Sequence, residues 1–461
     1  MRILFKNPMS THSPSSFSFF VFFFISSIIN FLLCETIYFE SIHSADHLYL
    51  PLLLKDIVSG KGIGHWYFPP SPYFFPDLLI DLVLSPFIPL LYLPSLYGTV
   101  QMFFVLLGIS IFISQYSTKS KSLDFLYCFE FLLLLFSLIG YGLKDKPLPF
   151  SYFFSGAHHS TGFFFSLFLT IYLYSLLNDK EKKKSKSSQL LPISLVFFFF
   201  IGFSLLYLSD RFSFAVGAIS FFVVRIWNLE IPLGERISYF KEKRFWILAI
   251  LFLFLNELLF LALKTTLSIP SSFQTLFTYL AKQNLTEVLA LSGAYLFDFS
   301  KHIFYQGRSI LILFGLVSIS FTRFPKLNQH LLIVFFPVLL LLLLLVGRFT
   351  YLHPYPIRYL FPLLFFALLG LTWVLFPFLQ KTNPKISLLA LLSLSGILFL
   401  FPFPREKTKS NFSKITETQV PYDLEKPIRF WSEGRKTPIP VDKEGKPYHW
   451  ITGAFHTHLT E

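Results

Sequence analysis

Asp46, His47, Asp56, His65, Trp66, Tyr67, Tyr73 and Asp77 all fall in one stretch, SADHLYLPLLLKDIVSGKGIGHWYFPPSPYFFPD (Ser44–Asp77), directly after the first apolar segment. Carboxylates and imidazoles take and give protons and bind cations. Aromatic rings among prolines give stiff, flat surfaces with a polar edge. A second set of the same character recurs further along. It comprises His158 and His159 in KDKPLPFSYFFSGAHHSTG (Lys144–Gly162), Asp210 and Arg211 in the turn SDR, and Arg348, Arg358 and Tyr359 in GRFTYLHPYPIRYL (Gly347–Leu360). Arginine offers a planar fork that matches phosphate, which a lysine does not.

The elements that must position these residues are membrane helices. Hydrophobic residues make up 54% of the chain and mean hydropathy is +0.60. Apolar runs of about 17 to 20 residues match a hydrocarbon core of about 30 Å. Runs such as Val196–Leu206 and Leu331–Leu345 are apolar on every side, unlike the alternating strands of a barrel, so the fold class is all-α, a polytopic transmembrane helical bundle. Apolar length predicts helices near 17–36, 78–93, 98–114, 124–142, 158–177, 190–208, 213–228, 246–264, 306–322, 329–347, 359–378 and 386–402.

If all twelve crossed, the five lysines of NDKEKKKSKSS (Asn178–Ser188) would face outward, against the positive-inside bias of short loops. The segment 78–93 is the one to remove, because it carries Asp81, Pro86 and Pro89 and begins at Asp77. About eleven spans then remain, with a juxtamembrane or re-entrant helix inside a first external loop at 38–97. The bundle is expected over 1–402 and a short polar extracytoplasmic tail over 403–461. In this arrangement the N-terminus and the lysine-rich connectors are cytoplasmic. The outward set is the first loop, Lys144–Gly162, the SDR turn, Thr265–Tyr305 and Gly347–Leu360, so the polar residues gather in one compartment.

The formal net charge of +13 is explained by those connectors, and no zinc-finger, basic-helix or stacking-platform pattern accompanies it, which excludes nucleic acid as a partner. No Walker-type string is present, which argues against an ATP-driven pump. Cys34 and Cys128 sit in or beside apolar runs and define no disulfide framework, and the residue before Cys34 is a leucine where a lipoprotein site wants a small one. The run Phe17–Leu33 lacks a small-x-small cleavage site and is expected to be a retained helix. Asn284-Leu285-Thr286 and Asn411-Phe412-Ser413 match glycosylation sequons, a pattern that arises often by chance.

A first helix, a long external loop with an acid a few residues past the membrane at Asp46, juxtamembrane helices, and the string YPIRYL (Tyr355–Leu360) together resemble the glycosyltransferase C superfamily, the multispan enzymes that use polyprenyl-phosphate sugars. PPSPYFFPD and PYHW also look like a group of bacterial membrane proteins of this kind. The resemblance implies transfer of a sugar from a polyprenyl-phosphate donor to an outer-leaflet lipid, polysaccharide or protein acceptor. It implies Asp46 as catalytic base and Arg358 as a contact to the donor phosphate. Better-known members carry an acidic pair at the first position. This chain reads Asp46-His47-Leu48, so a divalent metal, Mg or Mn, would find only Asp46 there.

Each residue also has an ordinary structural reading. Asp46 would otherwise cap a helix beginning near Leu48. Asp56 would pair with Lys55 or face solvent, and Asp77 would start a helix. His158 and His159 are expected to open a helix, where they would point about 100° apart and not share a metal. Asp210 and Arg211 would orient a hairpin. Arg348, Arg358 and Tyr359 would anchor at headgroup depth. Trp66, Tyr67, Tyr73, Trp431 and Trp450 are the aromatic candidates for stacking on a sugar. Two other classes compete with the enzyme. One is a transporter or flippase, for which Glu130 and Glu257 are the telling residues, and the other is a non-catalytic scaffold.

Overall fold

The computed structural model describes residues 16–114, 119–182, 193–226, 243–270, 278, 280–350, 356–379, 384–448 and 451–453. It is almost wholly helical, with four strands of two or three residues. Among the described residues, seven helices are long and apolar enough to cross a membrane: Ser16–Glu35, Leu90–Ile113, Ser122–Gly142, Trp246–Thr266, Lys326–Phe349, Ile357–Phe378 and Ser387–Ser413. The pair Leu285–Gln306 and Arg308–Arg323, bent by 98°, makes an eighth if it is one span. The chain is a multi-pass membrane protein. The described parts of two further apolar helices, Ser160–Leu173 and Phe197–Ser209, fall below that length, as does the sixteen-residue helix Arg211–Ile226. In the segment 78–93 the helix Leu79–Leu84 has six residues, about 9 Å, and does not reach across a bilayer.

The chain divides into two compact units. The first is Met1–Ser44, Tyr92–His158 and Ser272–Lys414; the second is Ala45–Leu91, His159–Ser271 and Ile415–Glu461.

In the first unit, Ile357–Phe378 and Ser122–Gly142 are the most enclosed spans, 78% and 72% buried, and form its centre. They pack along each other, with Phe125 edge-on to Trp373 at 5.7 Å. The helix Ser16–Glu35 lies against Leu93–Ser114. A Cβ on Gly98 would stand 2.6 Å from the Phe154 carbonyl oxygen and 3.1 Å from Cys34 Sγ, so only glycine permits that approach. Glu35 takes Arg405 Nε at 3.0 Å and also its Nη2, in a buried fork.

The expected outer loop Thr265–Tyr305 contains a 22-residue helix, Leu285–Gln306. Its start is a capping box in which Asn284 Oδ1 accepts from Glu287 N at 2.8 Å and Glu287 Oε2 accepts from Asn284 N at 3.3 Å. Tyr295, Phe299 and Ile303 form its buried stripe. Its scattered charges hide this periodicity from a search for uninterrupted apolar runs. The chain bends at Gly307, and the next helix is capped from a distant loop. Asp145 Oδ1 accepts from Arg308 N and Oδ2 from Ser309 N, both at 2.9 Å. An anion on two free N–H groups at a helix start is favourable. Asp145→Ala is therefore expected to cost about 1–2 kcal/mol, read as a lower melting temperature in detergent with faster amide exchange at 308–311. Unchanged exchange there would show that the cap is dispensable.

In the second unit, Ser160–Lys182 packs most closely on Arg211–Ile226. Small residues set the approach: a Cβ on Gly217 would lie 2.7 Å from Ser166 Cβ, and Thr170 Oγ1 donates to the Gly217 carbonyl at 3.2 Å. The first loop and the tail join within this unit. Trp66–Tyr67 pairs antiparallel with Thr452–Gly453, and Gln419–Pro421 pairs in parallel with Ile439–Val441. The helix Tyr422–Trp431 buries Glu425 through Trp431. The loop also ties back to the helices, through Phe68 N to Ser268 O at 2.9 Å and Phe75 N to Ser209 Oγ at 2.8 Å.

Candidate functional site

Asp46 does not cap a helix. The helix Tyr49–Val58 starts after Leu48, with no side-chain cap. Instead, Tyr422 Oη donates to Asp46 Oδ1 at 2.8 Å. One helical turn beyond Tyr422, Lys426 is fully buried, with its ammonium 4.0 Å from the Tyr422 ring centre and 3.2 Å from Glu425 Oε2. Tyr448 meets the Tyr422 ring edge-on at 5.6 Å and is 40% exposed. Burial around the Tyr422 hydroxyl, and then the Asp46 charge, push that phenol well above its usual range, so it stays protonated and donates. Burial lowers Lys426 from its ordinary value, while Glu425 and Asp46 act in the opposite sense. The result is a carboxylate that accepts from a phenol, near a buried ammonium, beside an exposed aromatic ring. Sequence reading singled out Asp46 and PYHW but missed Tyr422 and Lys426. Their i, i+4 spacing next to a loop acid was the available signal.

Asp56 and Trp66 belong to the joint between loop and tail. Asp56 Oδ2 accepts from Arg429 Nη2 at 2.8 Å and from Trp66 Nε1 at 3.1 Å, and Lys61 Nζ stands 3.6 Å from Oδ1. Trp66 is 1% exposed, with the Arg429 guanidinium 5.5 Å from its ring centre. The indole is thus part of the unit's core, and Trp431 is buried as well. Asp56 pairs with Arg429, not with Lys55, whose ammonium donates to the Glu433 carbonyl.

Asp77 is buried in the helical turn Phe74–Leu78 that leads into Leu79–Leu84. Asp81, one turn on, is buried too. Burial and then the Asp77 charge push the Asp81 carboxyl well above the usual carboxylate range. Asp77 acts in the same direction on the Tyr49 phenol, after burial. The opposite side of this short helix exposes Leu79, Leu82 and Val83.

His159 and Asp210 form a second buried polar cluster. His159 Nδ1 is 2.7 Å from Asp210 Oδ1, and His159 Nε2 is 3.1 Å from Tyr73 Oη. With Asp210 ionised, Nδ1 carries the proton that points at the carboxylate, and Nε2 accepts from the tyrosine. Asp210 also accepts from Ser213 N at 3.4 Å and from Ser213 Oγ, at the start of the helix Arg211–Ile226. Gly162 leaves room for this, since a Cβ there would stand 2.9 Å from Asp210 Oδ2. The helix expected to open at His158 begins at Ser160 instead, and His159 has φ 69°. Tyr73 has φ 54°. Two non-glycine residues in the left-handed region, joined by a hydrogen bond, store strain of about 1–3 kcal/mol each. Arg211 is separate from them: its Nη2 donates to Glu257 Oε2 at 2.7 Å, and its guanidinium lies 3.6 Å from the Phe260 ring centre.

Within the first unit, Arg358 Nη1 is 3.3 Å from His158 Nδ1. An arginine cannot accept, so this nitrogen of His158 is the unprotonated one. Tyr359 is buried beside them, its ring centre 5.5 Å from the Arg358 guanidinium carbon. Arg348 is exposed in the turn Leu345–Thr350. Tyr351, His353, Tyr355 and Trp450 lie outside the described residues, as do the N-terminal residues 1–15 and the lysines at 183–186.

Among the described residues no group of three or more histidine, cysteine, aspartate or glutamate side chains is arranged to hold a metal ion. Asp46 faces a tyrosine hydroxyl and a lysine, a poor setting for Mg or Mn, and no step below passes through a metal. No protein-family model and no curated protein matches the chain, so the reading of its function rests on these constellations.

Proposed function

We propose that the chain is a membrane glycosyltransferase that moves a sugar from a polyprenyl-phosphate donor to an outer-leaflet lipid, polysaccharide or protein acceptor. The supporting observation is the setting of Asp46: its Oδ1 accepts from Tyr422 Oη, close to the buried Lys426 ammonium. The Asp46 carboxylate takes the proton of an acceptor hydroxyl as that oxygen bonds to the anomeric carbon and the bond from that carbon to the donor phosphate breaks. The exposed ring of Tyr448 beside it suits a sugar face. In this reading the protein sits in a bacterial plasma membrane with about eleven spans, N-terminus cytoplasmic and tail outside. Membrane lipid and the polyprenyl donor are its partners.

Arg358 is proposed for the donor phosphate, on the fork chemistry of its guanidinium and the company of a neutral His158. Arg358→Lys retains charge but loses the fork and the His158 contact, so binding of a polyprenyl-phosphate sugar should weaken about tenfold, and more for Arg358→Ala. Equal affinity across wild type and both variants would reduce Arg358 to an interfacial anchor. Mass spectrometry of envelope glycolipids and polysaccharides from a deletion strain tests the function as a whole. Loss of one sugar from one product is expected, and an unchanged profile overturns the enzyme.

A transporter or flippase is the second reading. Glu130, buried within the span Ser122–Gly142, is the observation that favours it.

A further inference from the structure

Glu130 is 1% exposed and lies about 12 Å along the axis from Ser122, near the middle of its span. The helix beside it is Ser16–Glu35, and the pairing of the two is fixed at both ends. Phe22 meets Tyr127 edge-on at 4.9 Å, and Tyr38 Oη donates to Ser137 Oγ at 2.5 Å. Residue numbers rise together, so the two segments run parallel, and Ser26 and Asn30 are the side chains that face the Glu130 carboxyl. Both are buried, Ser26 at 1% and Asn30 at 0% exposure. Asn30 Nδ2 donates to Ser26 Oγ at 3.3 Å, which turns the amide oxygen away from that bond.

Among the described residues, Glu130 Oε1, Glu130 Oε2 and Asn30 Oδ1 are buried with no hydrogen-bond partner within 3.5 Å, and the donors turned toward the carboxylate are the Ser26 hydroxyl and the Asn30 amide. All three oxygens are acceptors. In hydrocarbon, where an unsatisfied polar group costs several kcal/mol, such a set has room for one small cation among it.

Among the described side chains, no group of the protein supplies that charge. Besides Ser26 and Asn30, the first helix carries Cys34 and Glu35, and Glu35 is taken by Arg405. The helix of Glu130 carries Lys119, Lys121, Asp124, Tyr127, Cys128 and Tyr141, and the neighbouring helix Leu93–Ser114 carries Tyr97. Of the other elements packed on this span, Arg308–Ser320 begins with Arg308, Pro384–Gly396 has Lys385, the turn Pro149–Phe154 has Tyr152, and Phe361–Leu379 has no titratable residue. Among the described side chains, burial, Ser26 and Asn30 are what act on Glu130.

We infer that Glu130, Asn30 and Ser26 form a binding site for one monovalent cation inside the first unit: a proton on the Glu130 carboxyl, or a sodium ion held by the same oxygens. With a proton bound, the carboxyl O–H donates to Asn30 Oδ1 and the site is neutral. A sodium ion would take both carboxylate oxygens, Asn30 Oδ1 and Ser26 Oγ, an all-oxygen set suited to a hard cation. One negative charge with two neutral oxygens is too little for a divalent ion. The site stands independently of sugar transfer, since it uses no residue assigned to that reaction.

The test is infrared difference spectroscopy of the full-length protein in lipid nanodiscs, wild type minus Glu130→Gln, titrated across pH with and without sodium chloride, with choline chloride as the control salt. The glutamine keeps the size of the side chain and its ability to bond Asn30. The expected result is a protonated-carboxyl C=O stretch, present in wild type only, that gives way to carboxylate bands as pH rises. Conversion at constant pH by sodium but not choline identifies a sodium site, and insensitivity to both identifies a proton site. Modification by dicyclohexylcarbodiimide, which needs the protonated acid, should place one adduct on Glu130 and fall about tenfold per pH unit above the midpoint. Carboxylate bands at every pH without response to sodium, together with an unmodified Glu130, would mean that the carboxyl is permanently ionised and paired, and would overturn the site.

Discussion

Asp46→Asn should reduce sugar transfer by about 10²–10⁴-fold and leave the protein folded. The amide oxygen still accepts the Tyr422 hydroxyl, so the joint between first loop and tail is kept. What it loses is the capacity to take a proton. Tyr422→Phe removes the hydrogen bond and leaves the carboxylate, so its effect should be smaller, about tenfold, with a shift in the pH profile of kcat. Loss of the donor hydroxyl makes the carboxylate a stronger base and moves the acidic limb upward. Lys426→Met should move the same limb upward as well, because a nearby cation favours the ionised carboxylate. The measurement is transfer by purified protein from a polyprenyl-phosphate sugar, with melting temperature as the check on folding. Full activity in the asparagine variant would remove Asp46 from the chemistry. The His159–Asp210 pair, with Nε2 toward Tyr73, would then be the group to test as base.

Long apolar segments were legible because one physical requirement, about 30 Å of hydrocarbon, writes itself as uninterrupted length. Prolines at 76, 86, 89 and 94 marked a run that does not form a long helix, and the six-residue Leu79–Leu84 occupies it. Leu285–Gln306 was missed because it buries a stripe of three residues and leaves the rest polar or exposed, a pattern that length alone does not detect. Within the site, the type and loop position of Asp46 drew attention to it, but its partner lies 376 residues away along the chain. Arg429 is likewise 373 residues from Asp56. Charges that pair over such separations look like a solvated tail in the sequence. The strained pair Tyr73 and His159 leaves no mark either, since neither is a residue type that announces a left-handed backbone.

The largest effect on stability is expected at Asp56. Arg429 is 2% exposed and its guanidinium is shared between Asp56 Oδ2 at 2.8 Å and Glu425 Oε1 at 3.3 Å, while Lys426 takes the other oxygen of Glu425. The buried cluster thus holds two acids and two cations. Asp56→Ala leaves two cations against one acid and strips Trp66 Nε1 of its acceptor, so it should destabilise the second unit by about 3–5 kcal/mol. Asp56→Asn keeps an acceptor for one of these donors and removes only the charge, and should cost less. Replacing both partners, Asp56→Leu with Arg429→Met, should recover much of the loss, because an apolar pair of similar volume needs no compensating charge. Glu425 with Lys426 stays neutral in that variant. The readout is limited proteolysis between 415 and 453 in detergent, combined with melting temperature across the four proteins; adding Asp56→Leu and Arg429→Met singly completes a double-mutant cycle. The tail of the alanine variant should be cut first, and that of the leucine and methionine double variant should again be protected. Equal protection in the alanine variant and the wild type would show that strand pairing of Trp66–Tyr67 with Thr452–Gly453 holds the tail without the ion pair.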